Sequence, residues 1–299
     1  MTEVEEIISK TILTKVHPND NLWFHHDYNM NLYRGCSHGC IYCDSRSDCY
    51  HIDNFDVVKP KKDSTLILEK ELQTKRHKGI IGMGAMSDPY NPLEKSLEIT
   101  RKALLLIEKY GFSVSIATKS DLILRDLDIL ERISKNQKVN VAITITTADA
   151  NLQAKIEPYA SSTGERFNAI KTLREHGIFA GVLMMPILPF INDTVENISG
   201  IVSLSYMHHA SYIYPSFGVT LRSNQREYFY QKLDLLFPTL TRKYQAMYME
   251  KYSCQSPHIK VIAAEFEKQC NEFDIPYSIR HINTLFLSQN PLEQLSFEL

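Results

Sequence analysis

The sequence predicts an α/β fold, with parallel strands joined by helices and a helical appendage at the C-terminal end. Three observations predict it. Strand-like and helix-like patterns alternate about six times through the middle of the chain, as parallel strands with right-handed crossovers require. Two of the helical patterns stop at Gly111 and Gly177, residues suited to the left-handed position that follows a helix. Beyond about residue 222 the strand signals give way to helical segments rich in Tyr and Phe.

In chain order, residues 1–28 carry no strong period and read as a lead-in, and Asn31–Arg34 is taken as the first strand. The short apolar run Gly79–Met86 reads as a buried strand, and a helical pattern follows from Leu93 with Leu97, Leu104 and Ile107 near one face. Phe112–Thr118 is the next strand, rich in β-branched residues, and a helix runs from about Leu122 to Ser134 with Ser120 or Asp121 as its cap. Val139–Thr147 alternates as a strand, and Ser162 and Glu165 have capping-box spacing ahead of Phe167, Ile170 and Leu173. Ile178–Met185 is a further strand, Asp193–Glu196 resembles a second capping box, and Ser211–Phe217 reads as one more strand. Arg226–Leu236, Tyr244–Tyr252 and His258–Asn271 look helical, with a last strand signal at Tyr277–Arg280. The expected division is 1–28 lead-in, 29–222 core and 223–299 mostly helical.

Composition narrows the class. Apolar residues make up 43% of 299, enough for a sizeable core, and the net charge of -2 does not suggest a general nucleic-acid binder. The basic run Lys59-Pro60-Lys61-Lys62 reads as a solvated loop. The start, Met1–Glu6, is acidic where a signal peptide would be basic, and no apolar run approaches the roughly 18 residues of a membrane span, so a cytoplasmic location is expected.

Four of the six cysteines crowd into fourteen positions, which points to metal or redox chemistry rather than a disulfide framework. Cys36, Cys40 and Cys43 stand as C-x3-C-x2-C, a spacing that lets three thiolates converge from one loop, with Gly35 and Gly39 easing the wrap of the backbone. Three thiolates on a four-iron cubane leave one iron open, the mark of a reactive centre. Two other readings stand beside this one: Cys49 as a fourth ligand, and a zinc site formed by the three cysteines with His38 or Cys49. Cys254 and Cys270 lack a paired motif.

C-x3-C-x2-C with Tyr42 before the last cysteine resembles the signature of the radical S-adenosylmethionine (SAM) superfamily. Flanking text is similar to its spore photoproduct lyase-like branch: Asn31–Cys36, Ser87-Asp88-Pro89-Tyr90, Thr118-Lys119-Ser120, Glu157-Pro158, Arg166 and Pro186–Asp193. The match runs from about Asn31 to Arg222. The resemblance implies a partial (β/α)6 barrel with its site at the C-terminal ends of the strands. It implies a 4Fe–4S cluster on Cys36, Cys40 and Cys43, SAM on the open iron, and a 5′-deoxyadenosyl radical that abstracts hydrogen from an unassigned substrate. A small reducing protein such as flavodoxin or ferredoxin would supply the electron. No membrane partner is implied, and a nucleic-acid partner is left open.

The resemblance also suggests roles. Lys119 would meet the SAM carboxylate, Ser87 its amino group, and Tyr42 and Met185 the adenine; Thr146 and Arg166 would line the SAM site. Thr144 reads as barrel packing, and Glu157 with Arg166 also fits a structural ion pair. Where true photoproduct lyases carry a hydrogen-returning cysteine, three residues before the Ser-Asp aspartate, this chain has Ala85. Cys49 is the candidate replacement as catalytic hydrogen donor, against a structural thiol. The aromatic stretch Tyr228-Phe229-Tyr230 with Tyr244, Tyr248 and Tyr252 is either a stacking surface for bases or a packing face. A zinc-stabilised binding module remains the reading outside enzymology.

Overall fold

The computed structural model describes residues 5–17 and 23–289. The first four residues of the acidic start, and the end of the predicted C-terminal region, lie outside the described residues.

The chain opens with β1 (Leu13–Lys15), β2 (Tyr28–Met30), β3 (Tyr33–Arg34) and β4 (Lys59–Pro60), followed by α1 (Ser64–Thr74) and β5 (Ile80–Met83). Then come α2 (Glu94–Leu97), α3 (Ile99–Tyr110), β6 (Ser113–Thr118), α4 (Leu127–Ser134), β7 (Val139–Thr144), α5 (Ala150–Ile156), α6 (Thr163–Glu175) and β8 (Phe179–Met184). The last part holds α7 (Val195–Met207), β9 (Ile213–Pro215), β10 (Gly218–Thr220), α8 (Gln225–Leu236), α9 (Leu240–Tyr248), β11 (Ser253–Gln255), α10 (Ile259–Glu272) and α11 (Ile279–Ser288).

One seven-stranded sheet runs β1-β2-β5-β6-β7-β8-β9. From β2 to β9 every pairing is parallel, so six strands and their crossover helices form the predicted partial barrel. Its strands are apolar on both faces, as parallel strands covered by helices must be. Gly111 and Gly177 take the left-handed conformation that ends α3 and α6. The capping box at Ser162 and Glu165 is formed in both directions.

Several expectations are corrected. The first barrel strand is Tyr28–Met30, not Asn31–Arg34: Tyr28 and Met30 are both buried, and Met30 pairs with Met83. Tyr33 and Arg34 instead pair antiparallel with Pro60 and Lys59 in a small ribbon. The lead-in adds β1 as an antiparallel edge to the sheet. Thr194, not Asp193, caps α7, because Asp193 is buried against the C-terminal region and accepts a hydrogen bond from Ser256 (2.6 Å). Tyr277–Arg280 is not a strand: Ser278 caps α11. The strand of this region is β11, which pairs with β10. The second of the predicted C-terminal helices, α9, sits earlier than Tyr244–Tyr252 and ends where Met249 turns to φ 47°.

The sheet does not close, and aromatic rings fill its base. Phe24, Phe179, Tyr212, Ile282 and Phe286 form one apolar cluster there, so α11 plugs the barrel. A separate cluster joins Ile41 and Tyr42 to Phe229, Leu233, Tyr244 and Tyr248 of α8 and α9. The aromatic stretch is therefore largely a packing face. No described helix is long and apolar enough to cross a membrane.

Candidate active site

The cysteine loop leaves β3 and crosses the mouth of the barrel. Gly35 (φ 80°) is required there, since a Cβ would lie 2.6 Å from the Phe55 carbonyl oxygen. Cys36 N–H donates to that carbonyl (2.9 Å), and Ile41 N–H donates to Ile156 (3.0 Å), which pins the loop on both sides. Cys36 and Cys40 are buried and Cys43 partly so. Burial pushes the Cys36 thiol up to about 12 and raises Cys40 and Cys43 as well, so all three are held as neutral thiols at neutral pH in the metal-free chain.

All three cysteines line one cavity of about 480 Å³. The donor set fits an iron–sulfur cluster: three soft thiols on one short loop, in a cavity whose lining is mostly apolar. Among the described residues, no three His, Cys, Asp or Glu side chains are close enough to share a single metal ion. A cubane does not require that, because each thiolate binds its own iron.

Opposite the loop stands Lys119 at the end of β6, its Nζ 6.0 Å from the Tyr42 ring centre. Burial alone would lower the Lys119 pKa, but the neighbouring acidic groups, Cys40, Glu157, Asp88 and Cys43, outweigh burial and raise it. Asp88 ties the neighbouring elements together. It accepts from Thr118 Oγ1 (2.7 Å), from the backbone N–H of Lys119 (2.8 Å) and from that of Tyr90 (2.9 Å). His38 Nδ1 lies 3.4 Å from it.

Behind the loop is a buried hub at Glu157. Tyr42 donates its hydroxyl to Glu157 Oε1, Thr146 Oγ1 lies 3.2 Å from the same oxygen, and Arg166 Nη2 lies 2.6 Å from Oε2. Burial opposes the Glu157 charge, yet Arg166, Lys119 and the Tyr42 hydrogen bond prevail and lower its pKa. Arg166 is fully buried and also donates to the carbonyls of Ser161 (2.7 Å) and Thr144 (2.9 Å).

The structure thus brings Tyr42, Lys119 and Met185 to the cavity with the three cysteines. Thr146 and Arg166 are not brought there; they brace the wall through Glu157, while Thr144, read as packing, lines the cavity. Ser87 is buried beside a neighbouring pocket. Cys49 is exposed on the turn Asp48–Tyr50, where its Sγ accepts from Arg222 Nη1 (3.2 Å), and it does not line the cavity. Ala85 does.

Among the lining residues that sequence reasoning missed, Trp23 and His26 sit in the patternless lead-in. Phe24 (φ 48°) and His25 (φ 52°) hold left-handed backbone to turn His26 inward, and Gly82 leaves it room. That glycine, inside a strand, was the one sequence hint of a close approach.

The sequence model of the radical SAM superfamily matches residues 30–199. An uncharacterized protein of Methanocaldococcus jannaschii is 38% identical over 175 residues, 58% of this chain and 64% of that protein, so the chain spans just under two thirds of that relative's length. An uncharacterized protein of Mycobacterium tuberculosis is 28% identical over 250 residues, 81% of this chain and 73% of its own. Among solved structures, a spore photoproduct lyase variant with bound AdoMet and dinucleoside spore photoproduct aligns with a TM-score of 0.62 at 15% identity, over 87% of this chain and 76% of that one. The cobalamin- and [4Fe-4S]-bound methyltransferase TsrM of Kitasatospora setae aligns at 0.60 and 12%, over 93% and 61%. At such identities these likenesses speak to the fold.

Proposed function

Because the chain belongs to the radical SAM superfamily, we propose that it is an enzyme that cleaves SAM reductively and uses the resulting radical to abstract hydrogen from a substrate. The observation that carries this reading is the convergence of Cys36, Cys40, Cys43 and Lys119 on one cavity. A bound 4Fe–4S cluster would supply the electron that splits the SAM carbon–sulfur bond into methionine and a 5′-deoxyadenosyl radical. The cysteines would hold three of its irons.

Lys119 would neutralise the SAM carboxylate, an interaction strengthened where both charges are partly buried. Tyr42 and Met185 would flank the adenine. Glu157, Arg166 and Thr146 would act as positioning residues for Tyr42. The electron would come from a small reducing protein of the flavodoxin or ferredoxin kind. Photoproduct reversal through an internal cysteine has no support from the cavity wall, where Ala85 stands and Cys49 does not.

The test is anaerobic reconstitution followed by dithionite and SAM. About four irons per chain and formation of 5′-deoxyadenosine are expected, both lost or strongly reduced in Cys40→Ala. Tightly held zinc with no 5′-deoxyadenosine would overturn the reading.

A further inference from the structure

A second pocket, of about 290 Å³, adjoins the cavity at Met86, which lines both. Its walls include Asn31, Arg34, Lys61 and Ser87. Polar ends meet there without protein partners. Ser87 is 6% exposed and its hydroxyl makes no hydrogen bond. Asn31 Oδ1 is buried and unpaired too, and a half turn of the carboxamide presents its NH2 group instead.

Lys61 is half-buried, and burial lowers its pKa against the opposing pull of Glu71. Glu71 itself is engaged with the backbone N–H groups of Ile12 (3.1 Å) and Leu13 (2.9 Å). The neighbouring Lys59 differs, being paired with Glu5 at 2.6 Å. Arg34 gives one Nη2 bond to the His51 carbonyl, which leaves its other N–H groups available among the described residues. Buried polar groups are nearly always satisfied, so a pocket ringed by spare donors and two cations is built for an anion.

We propose that this pocket holds the phosphate group of a small-molecule substrate whose reacting end passes over Met86 into the cavity. A phosphate carries close to two negative charges and several acceptor oxygens, which matches two cations and donors on several sides. A carboxylate, with one charge and two oxygens, would leave part of the set unmet. The anion site stands on the pocket alone; its ligand's role as substrate rests on the function proposed above.

The experiment is calorimetric titration of the full chain, cluster reconstituted, with inorganic phosphate at constant ionic strength. Saturable single-site binding is expected. Lys61→Gln and Ser87→Ala should each weaken it about tenfold, the scale of one charge-assisted hydrogen bond. Lys61→Arg should retain it, and Lys62→Gln, exposed one position along, should leave it unchanged. Absence of saturable binding, an equal loss in Lys62→Gln, or tighter binding of acetate would overturn the proposal. So would Lys61-dependent binding of a single-stranded oligonucleotide without binding of free phosphate. The titration is repeated on cluster-free chain, so that intact phosphate binding alongside failed SAM cleavage counts against the catalytic reading alone.

Discussion

His26 is a buried imidazole whose Nε2 has no hydrogen-bond partner. Burial is the main cause that takes its pKa from 6.5 to about 4, against smaller upward pulls from Asn29 and Asp27. The neutral ring is therefore the folded form at neutral pH. Unfolded, the same ring takes up a proton near pH 6.5, so the stability it permits is complete above that pH and is lost as pH falls toward about 4. The loss should approach about 3 kcal/mol. Urea unfolding at several pH values across this window checks it: His26→Gln, which cannot titrate, should show a flatter profile than the parent chain. The residues legible beforehand were those whose chemistry lies in covalent spacing, above all Cys36, Cys40 and Cys43. His26 was not legible, because two left-handed residues of the lead-in, rather than any periodic element, bring it inside.

At the scale of elements, β5 ends at a turn only glycine fits. Gly84 has φ 93°, and a Cβ there would stand 2.0 Å from the Ala117 carbonyl oxygen on β6. Gly84→Ala should cost at least about 2 kcal/mol, from left-handed strain plus the forced separation of β5 and β6. Urea midpoints would measure it, and the Asp88 contacts to Thr118 and Lys119 should loosen with it. Long elements with punctuation were readable: α3 and α6 carry apolar faces, a capping box and terminal glycines. The three-residue strands β1, β10 and β11 were not, because such segments are too short to show a period and are made by their partners. Asp193 misled for a related reason, since a tertiary contact with Ser256 took the side chain that local spacing assigned to a cap.

For the whole molecule, the C-terminal region is not separable from the site. Gln225 donates to the Tyr42 carbonyl (3.2 Å) and Asn224 to the Arg46 carbonyl (3.3 Å). Arg46 also lies against two rings, 3.9 Å from the Tyr228 centre and 4.9 Å from that of Phe55, so helix α8 grips the segment after Cys43. A chain ended at residue 222 should therefore retain far less iron after reconstitution and gel filtration than the full chain, even if its barrel remains helical by circular dichroism. Equal iron retention would refute this coupling. The count of barrel strands was foreseeable from alternation, whereas this grip depends on contacts between residues far apart in the chain, 183 positions for Gln225 and Tyr42.

A hoop left unlatched needs some other means of keeping its girth. Here the two ends of the parallel series meet through rings, Trp23 on Tyr214 at 5.2 Å and Phe24 on Tyr212 at 5.7 Å. The gap between those two ends is thus bridged by aromatic rings and not by backbone hydrogen bonds. Trimming Trp23 would change the size of what can enter while every rung of the sheet stayed in place.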